Sequence, residues 1–322
     1  KQTRRLENEI GFEAEQRFQF AVNGFAARLT PGQLKKLKRD GKVAHITRVR
    51  RVRLSSQVVP RGIRRVKAAP GGSPGPDVNA DVAVLDTGIG PAGNELNVVG
   101  GVNCSGTGPA NDFADSYGHG THVAGTIGAR DNGVGVVGVA PGVRLWSVRV
   151  FDGAYGTTDT IICGLEWVLS THLDPTKPDI ELVNMSLEGP RLGDVETCDA
   201  SNPDPVHQAV CSLHAAGITQ VAAAGNGVFG NTADTFPGGY DQVISVGAIS
   251  DFDGKAGGLA SGDCPGYYGE DDDTYASYSN DGPDVDIVAP GTCVASLATS
   301  ATGDAIVVQT GTSMAAPHVT GA

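Results

Sequence analysis

The sequence predicts an α/β protein, a parallel twisted sheet flanked by helices, preceded by a small α+β module. Three observations predict it. Apolar runs such as Val82-Ala83-Val84-Leu85 are continuous, not alternating, as in strands buried on both faces. Stretches of helical length lie between such runs, the economical way to connect parallel strands. Charge divides the 322 residues sharply: residues 1–54 hold 14 Lys and Arg against 5 Asp and Glu, residues 55–322 hold 10 against 31, and the whole chain is at −12. Opposite fields of this size suggest two modules that associate, 1–54 and 55–322.

The elements follow in chain order. Arg17 to Val22 alternates like a strand. Thr30-Pro31 opens a helix, with Thr as N-cap and Pro at its first position, and Gly41 stops it. Val43 to Leu54 is mostly β-branched and extended. Buried strands are expected at Val82–Leu85, Val143–Val150, Ile180–Ser186, Gln220–Ala224 and Val243–Gly247. Helices are expected at His119–Gly128, Thr158–Thr171 and Pro205–Ala216. The acidic run Glu270-Asp271-Asp272-Asp273 reads as a solvated loop. A nucleic-acid-binding arm is the rival reading of the basic segment. It is disfavoured by that segment's apolar pattern at Phe18, Phe20, Val22, Phe25, Leu29, Leu34, Leu37, Val43 and Ile46, so no nucleic-acid partner is expected.

No apolar stretch reaches the roughly 20 residues of a membrane span, so no membrane partner is expected. Six Cys form no CxxC pair, which argues against zinc. An even count suits disulfides in an oxidising, extracellular compartment, and hence a secreted protein, against the alternative of six free thiols. Local pairing would join Cys104–Cys163, Cys198–Cys211 and Cys264–Cys293, one of about fifteen connectivities. Asn103-Cys104-Ser105 fits the glycosylation triplet.

Three segments carry chemistry: Asp86-Thr87-Gly88, His119-Gly120-Thr121-His122 and Gly311-Thr312-Ser313-Met314-Ala315. A serine hydroxyl is a weak nucleophile until a histidine takes its proton, and a buried carboxylate must orient that histidine. The order Asp, His, Ser differs from that of α/β-hydrolases and of chymotrypsin-like enzymes. An esterase of the Gly-x-Ser-x-Gly type is disfavoured, because Ala315 stands where the final Gly belongs. A catalytically silent binding protein would be expected to have lost one of these residues, and none is lost. A two-histidine metal site at His119 and His122 lacks the HExxH spacing and a third ligand.

On these motifs the chain resembles the subtilisin-like (S8) serine proteases, and the order of its three motifs matches theirs. Asn23-Gly24-Phe25-Ala26-Ala27-Arg28-Leu29-Thr30, with Gln33, Leu34 and Leu37, is similar to the inhibitor-type propeptide of that family. The resemblance implies a serine endopeptidase acting through an acyl-enzyme on polypeptides, made as a self-processing precursor. Its own propeptide would be its intramolecular inhibitor, with Arg50 to Ser55 as the tail in the groove. Gln57 to Ile63 and Val66 to Pro70 resemble a mature start, which puts autocleavage between about Arg53 and Gln57. Catalytic roles fall to Asp86, His119 and Ser313, with Asn226 of Ala224-Gly225-Asn226 as oxyanion donor and His122 structural. Tyr155, Gly156, Ser186, Leu187, Glu188 and Gly189 would bind substrate as an added strand. The family has Gly where Glu188 stands. A carboxylate there, and Asp234 ahead of Phe236-Pro237, would favour basic substrates. A structural Ca²⁺ is implied at Gln57, Glu95, Asn132, Val134 and Val136, although the family has Asp where Glu95 stands and a plain Gly-rich turn remains the alternative. A monomer is expected. The family continues beyond the equivalent of Ala322, so the catalytic domain looks truncated at its C-terminus.

Overall fold

The computed structural model describes residues 2–19, 22–49, 57–68, 77–193, 197–199, 201–227, 230–262, 264, 270–299 and 305–322. The expected tail Arg50–Ser55 and the expected cleavage region lie outside these, as do Phe20, Ala69 and Pro70. The chain divides into two compact units, Lys1–Leu54 and Ser55–Ala322.

The first unit begins with a helix the sequence reading did not anticipate, α1 (Gln2–Ile10), which buries Leu6. Strands β1 (Gln16–Phe18) and β2 (Gly24–Ala26) pair antiparallel. Helix α2 (Pro31–Leu37) opens on the expected cap: Thr30 Oγ1 accepts from Gln33 N, and Gln33 Oε1 accepts from Thr30 N. It stops at Leu37, short of Gly41. Asp40 accepts from Lys42 N and from Arg5 of α1, which draws the chain out of the helix first. Residues 43–49 form no strand.

The second unit runs α3 (Arg61–Arg65), β3 (Asp81–Asp86), β4 (Asn97–Asn103), α4 (His119–Gly128), β5 (Arg144–Arg149), β6 (Phe151–Asp152), β7 (Tyr155–Gly156), α5 (Thr158–His172), β8 (Leu182–Met185) and β9 (Gly189–Pro190). It continues α6 (Pro205–Ala215), β10 (Thr219–Ala223), β11 (Thr235–Phe236), β12 (Ile244–Ser250), β13 (Thr274–Tyr275), β14 (Ile287–Pro290), β15 (Val294–Leu297), β16 (Ile306–Gln309) and α7 (Thr312–Thr320). The main sheet has the order β13-β12-β10-β8-β3-β5-β4, with β14 also on β12, and only β13 runs antiparallel.

Strand β3 shows why its sequence is apolar throughout. Ala83 and Leu85 face a core shared with α5 and α6 (Leu165, Val168, Val210, Leu213), while Val82 and Val84 face one shared with α4 and α7 (Val123, Ile127, Met314). Edge strand β4 carries Gly100 and Gly101 because a Cβ there would meet Trp146 at 2.5 Å and the Ser147 carbonyl at 2.1 Å. The disulfides are Cys104–Cys163, Cys198–Cys211 and Cys264–Cys293, the local pairing.

The acidic run is not a solvated loop. Asp272 is buried and accepts from Phe252 N and Ala260 N. Asp273 accepts from Gly257 N, Gly258 N and Arg65, and Glu270 from Ser277. Asp272 and Asp273 thus satisfy four amide groups of the 251–260 loop, a service that solvent would otherwise perform.

Candidate active site

After β3 the chain crosses to the edge at β4 and comes back beside β3 at β5, then passes to the other side at β8 and β10. The strand order reverses between β3 and β8, and crevices of open α/β sheets form at the carboxyl ends of strands at such points. Asp86 is the last residue of β3, Ser186 follows β8, and Asn226 lies three residues past β10.

Asp86 is 1% exposed, and its carboxylate spans His119 Nδ1 at 2.8 and 2.9 Å. Its Oδ1 also accepts from Thr87 N at 2.7 Å. His119 starts α4, and the next residue must be glycine: a Cβ on Gly120 would lie 2.1 Å from the Gly88 carbonyl and 3.1 Å from Asp86. Burial disfavours the His119 imidazolium, but the charge and hydrogen bond of Asp86, with the charge of Asp115 added, outweigh it and hold the ring above its ordinary value.

Asp115 was not singled out in the sequence. It is buried and accepts from the N–H groups of Tyr117, Gly118 and Thr121 and from the hydroxyls of Thr87 and Thr121. Thr87 Oγ1 in turn accepts from Gly120 N, so one carboxylate ties the entry of α4 to the end of β3. The only sequence signal was an Asp four residues before the candidate base.

Ser313 lies in the first turn of α7, where N–H groups have no intrahelical acceptor. Its Oγ donates to the Ser186 carbonyl at 3.1 Å and makes no hydrogen bond with His119. Ser186 Oγ donates to the Ser313 carbonyl, Asn184 Nδ2 donates to Ser186 Oγ, and Thr320 Oγ1 donates to Asn184 Oδ1. Helix α7 is thereby fastened at both ends to β8 and the residue that follows it.

Asn226 Oδ1 accepts from Thr312 N at 2.9 Å and Thr312 Oγ1 at 3.2 Å, which fixes the amide by its oxygen and leaves Nδ2 as the donor. Glu188 is half-buried beside it. Its carboxylate accepts from Asn226 N at 3.1 and 3.2 Å and from Nδ2 at 3.4 Å.

A cleft of about 280 Å³ runs past Asp86, His119, Phe151, Ser186, Leu187 and Glu188. Leu187 is buried against the core, and β9 pairs with β11, where a Cβ on Gly189 would meet Phe236 at 2.4 Å. Tyr155 and Gly156 fold back on β6, with Tyr155 84% exposed. Asp234 is exposed, and its carbonyl accepts from Arg191 N.

His122 is fully buried with Nε2 on the Val294 carbonyl, and burial pushes it down to about 4, which suits a neutral structural ring.

Away from the cleft, Gln57, Glu95, Asn132 and Val136 are brought together and Val134 N closes onto Asn132 Oδ1. Gln57 Nε2 donates to the carbonyls of Arg130 and Val136, and Asn132 Nδ2 donates to Glu95 Oε1. Glu95 Oε2 is buried with no partner, and burial pushes that carboxyl up despite the Asn132 hydrogen bond and the Arg130 charge. The Arg130 carbonyl was missed in the sequence, where a backbone donor leaves no side-chain signal.

Residues 78–322 match the model of the subtilase family, and residues 2–55 match that of the peptidase inhibitor I9 family. The chain is 36% identical to subtilisin E of Bacillus subtilis over 319 residues, covering 98% of this chain and 73% of that protein. It is 36% identical to subtilisin DY of Bacillus licheniformis over 271 residues, 83% of this chain and 84% of the relative. A thermostable alkaline protease of Halalkalibacterium halodurans is 36% identical over 297 residues, 92% of this chain and 70% of the relative.

Proposed function

The chain belongs to the subtilase family, a serine endopeptidase made as a propeptide-bearing precursor, and we propose that Asp86, His119, Ser313 and Asn226 carry its chemistry. The observation that carries this assignment is the Asp86–His119 pair, 2.8 Å apart at the switch point of the sheet. Ser313 Oγ turns from the Ser186 carbonyl to His119 Nε2, gives up its proton there and attacks the scissile carbonyl carbon. The resulting oxyanion takes hydrogen bonds from Asn226 Nδ2 and the Ser313 N–H. His119 passes its proton to the leaving amine, and water then hydrolyses the acyl-enzyme by the same route.

His119 must be neutral to accept that proton, so kcat/KM falls as pH drops through its pKa. With Asp86 and Asp115 holding the ring above its ordinary 6.5, the acid limb of the kcat/KM profile is expected to have its midpoint above 6.5. Asp115→Asn removes one of the two charges and is expected to move that midpoint down. A limb below 6.5, unmoved by Asp115→Asn, would contradict the assignment of the base.

Residues 1–54 act as the inhibitory propeptide and 55–322 as the catalytic part, with self-cleavage between about residues 53 and 57. The segments Tyr155-Gly156 and Ser186 to Gly189 receive substrate by strand addition. Three disulfides support an oxidising destination outside the cell. Among the described residues no helix is long and apolar enough to cross a membrane.

The Gln57–Glu95–Asn132 cluster fits a calcium ion. The unpartnered, buried Glu95 Oε2 and the convergent Arg130 and Val136 carbonyls are hard oxygen donors of the kind Ca²⁺ takes. Gln57, Asn132 and the Val134 carbonyl complete the set. Calcium at about 100 times its Kd stabilises by roughly 2.7 kcal/mol, so a chelator is expected to lower Tm by about 5–10 °C. Glu95→Ala is expected to abolish that sensitivity; an equal chelator effect in both proteins places the ion elsewhere.

A further inference from the structure

We propose that Glu188 couples the charge of the substrate to the oxyanion donor and makes this endopeptidase select a basic residue at P1, the residue that supplies the scissile carbonyl. The inference rests on the roles given above to Ser313 and Asn226. For Ser313 to attack, the scissile carbonyl must lie against its Oγ with the oxygen toward Asn226 Nδ2. The P1 residue then sits beside Asn226, and the Glu188 carboxylate is bonded to that residue through both N and Nδ2. It lies flat against the neighbouring backbone, where a Cβ on Gly225 would come within 2.4 Å of Glu188 Oε2. Among the described residues no Lys, Arg or His is paired with Glu188, though basic partners are paired with Asp81, Asp86 and Asp251.

This arrangement has a cost that only a cation removes. As the oxyanion forms, two negative charges share one amide, and their repulsion opposes the transition state. An apolar P1 side chain would in addition strip water from the carboxylate without replacing it. A guanidinium or ammonium at P1 pairs with Glu188, neutralises the charge behind Asn226 and frees Nδ2 for the oxyanion. Because the benefit is realised in the transition state, it appears in kcat as well as in KM. Within the window of the expected cut, Arg53 is the one residue of this kind.

Peptide anilides identical except for Arg, Lys, Gln, Leu or Phe at P1 test this on the enzyme released from its natural precursor. Arg and Lys are expected to exceed Leu and Phe in kcat/KM by about 10-fold or more, and high salt is expected to shrink the ratio. Glu188→Gln is expected to lower the Arg rate by about 10-fold and raise the Phe rate, so that the order inverts. Benzamidine, a free aromatic amidine, is expected to compete with substrate in the wild type, a readout that needs no variant. Hydrolysis that favours Leu or Phe, or is flat across P1, with no inhibition by benzamidine, overturns the inference and leaves the peptidase intact. Failure to cleave any of the five overturns both.

Discussion

Ser313→Ala is expected to lower kcat by about 10⁶-fold, the size such a loss reaches in subtilisin, and to leave the precursor uncut. Thr312, the neighbouring hydroxyl at the start of α7, is fully buried and donates to Asn226 Oδ1, so it cannot take over the acyl bond from Ser313. What survives its removal is binding and the oxyanion donors, which together still exceed uncatalysed hydrolysis by roughly 10³–10⁴. Folding should be little affected, since Ser313 Oγ makes one half-buried hydrogen bond to the Ser186 carbonyl while the reciprocal bond from Ser186 Oγ uses the Ser313 backbone. Intact mass of the two proteins reads the result directly. A wild-type mass shortened by about the first 53–56 residues, beside an uncut variant, is the expected pair. Cleavage of the variant at the same bond would show that another protease matures the chain, and retained peptide hydrolysis would remove Ser313 from its role.

The second large effect belongs to Asn226. Asn226→Ala is expected to cost about 100–1,000-fold in kcat, the range known for loss of one such donor in subtilisin, with KM little changed. The amide's oxygen end has a structural duty too, accepting from Thr312 N and Oγ1. Losing that acceptor should cost about 1–2 kcal/mol of stability, a few degrees in Tm. Asn226→Asp keeps an acceptor for Thr312 but sets a second carboxylate against Glu188, where Nδ2 now lies 3.4 Å from Glu188 Oε1, so it should be no faster than the alanine variant. A rise in KM with kcat unchanged in either variant would mean that Asn226 binds the ground state and does not serve the transition state.

Much of the central fold was legible because burial on both faces writes itself into sequence as unbroken apolar runs. Val82 to Leu85 and Gln220 to Ala224 read as strands for that reason, and the helix N-cap at Thr30 leaves a local mark of its own. Edge strand β4 was not legible, since Gly100 makes room for the indole of Trp146 and Gly101 for the Ser147 carbonyl, not through any propensity of their own. Helix α1 buries one leucine and is otherwise polar or charged except for Ile10 at its end, too thin a stripe to register. The acidic run misled because its partners are backbone amides, with Arg65 added, and amides look alike in every sequence. The same blindness hid the Arg130 carbonyl. At the candidate site the acid, base, nucleophile and amide stood out as short motifs. Asp115, which works through N–H groups and two threonine hydroxyls, had no motif to announce it.

The pairing of β3 with β8 joins Val82 to Leu182 and Val84 to Asn184, and α7 closes on the same strand through Thr320. Neighbours in this sheet are thus brought from about a hundred residues apart before any of them is rewarded, which makes the route to the native state slow. A high barrier obstructs traffic in both directions. A polypeptide that lives among copies of an enzyme able to cut it is spared by how seldom it opens, and the half-life of this one should be governed by its unfolding rate more than by its equilibrium stability.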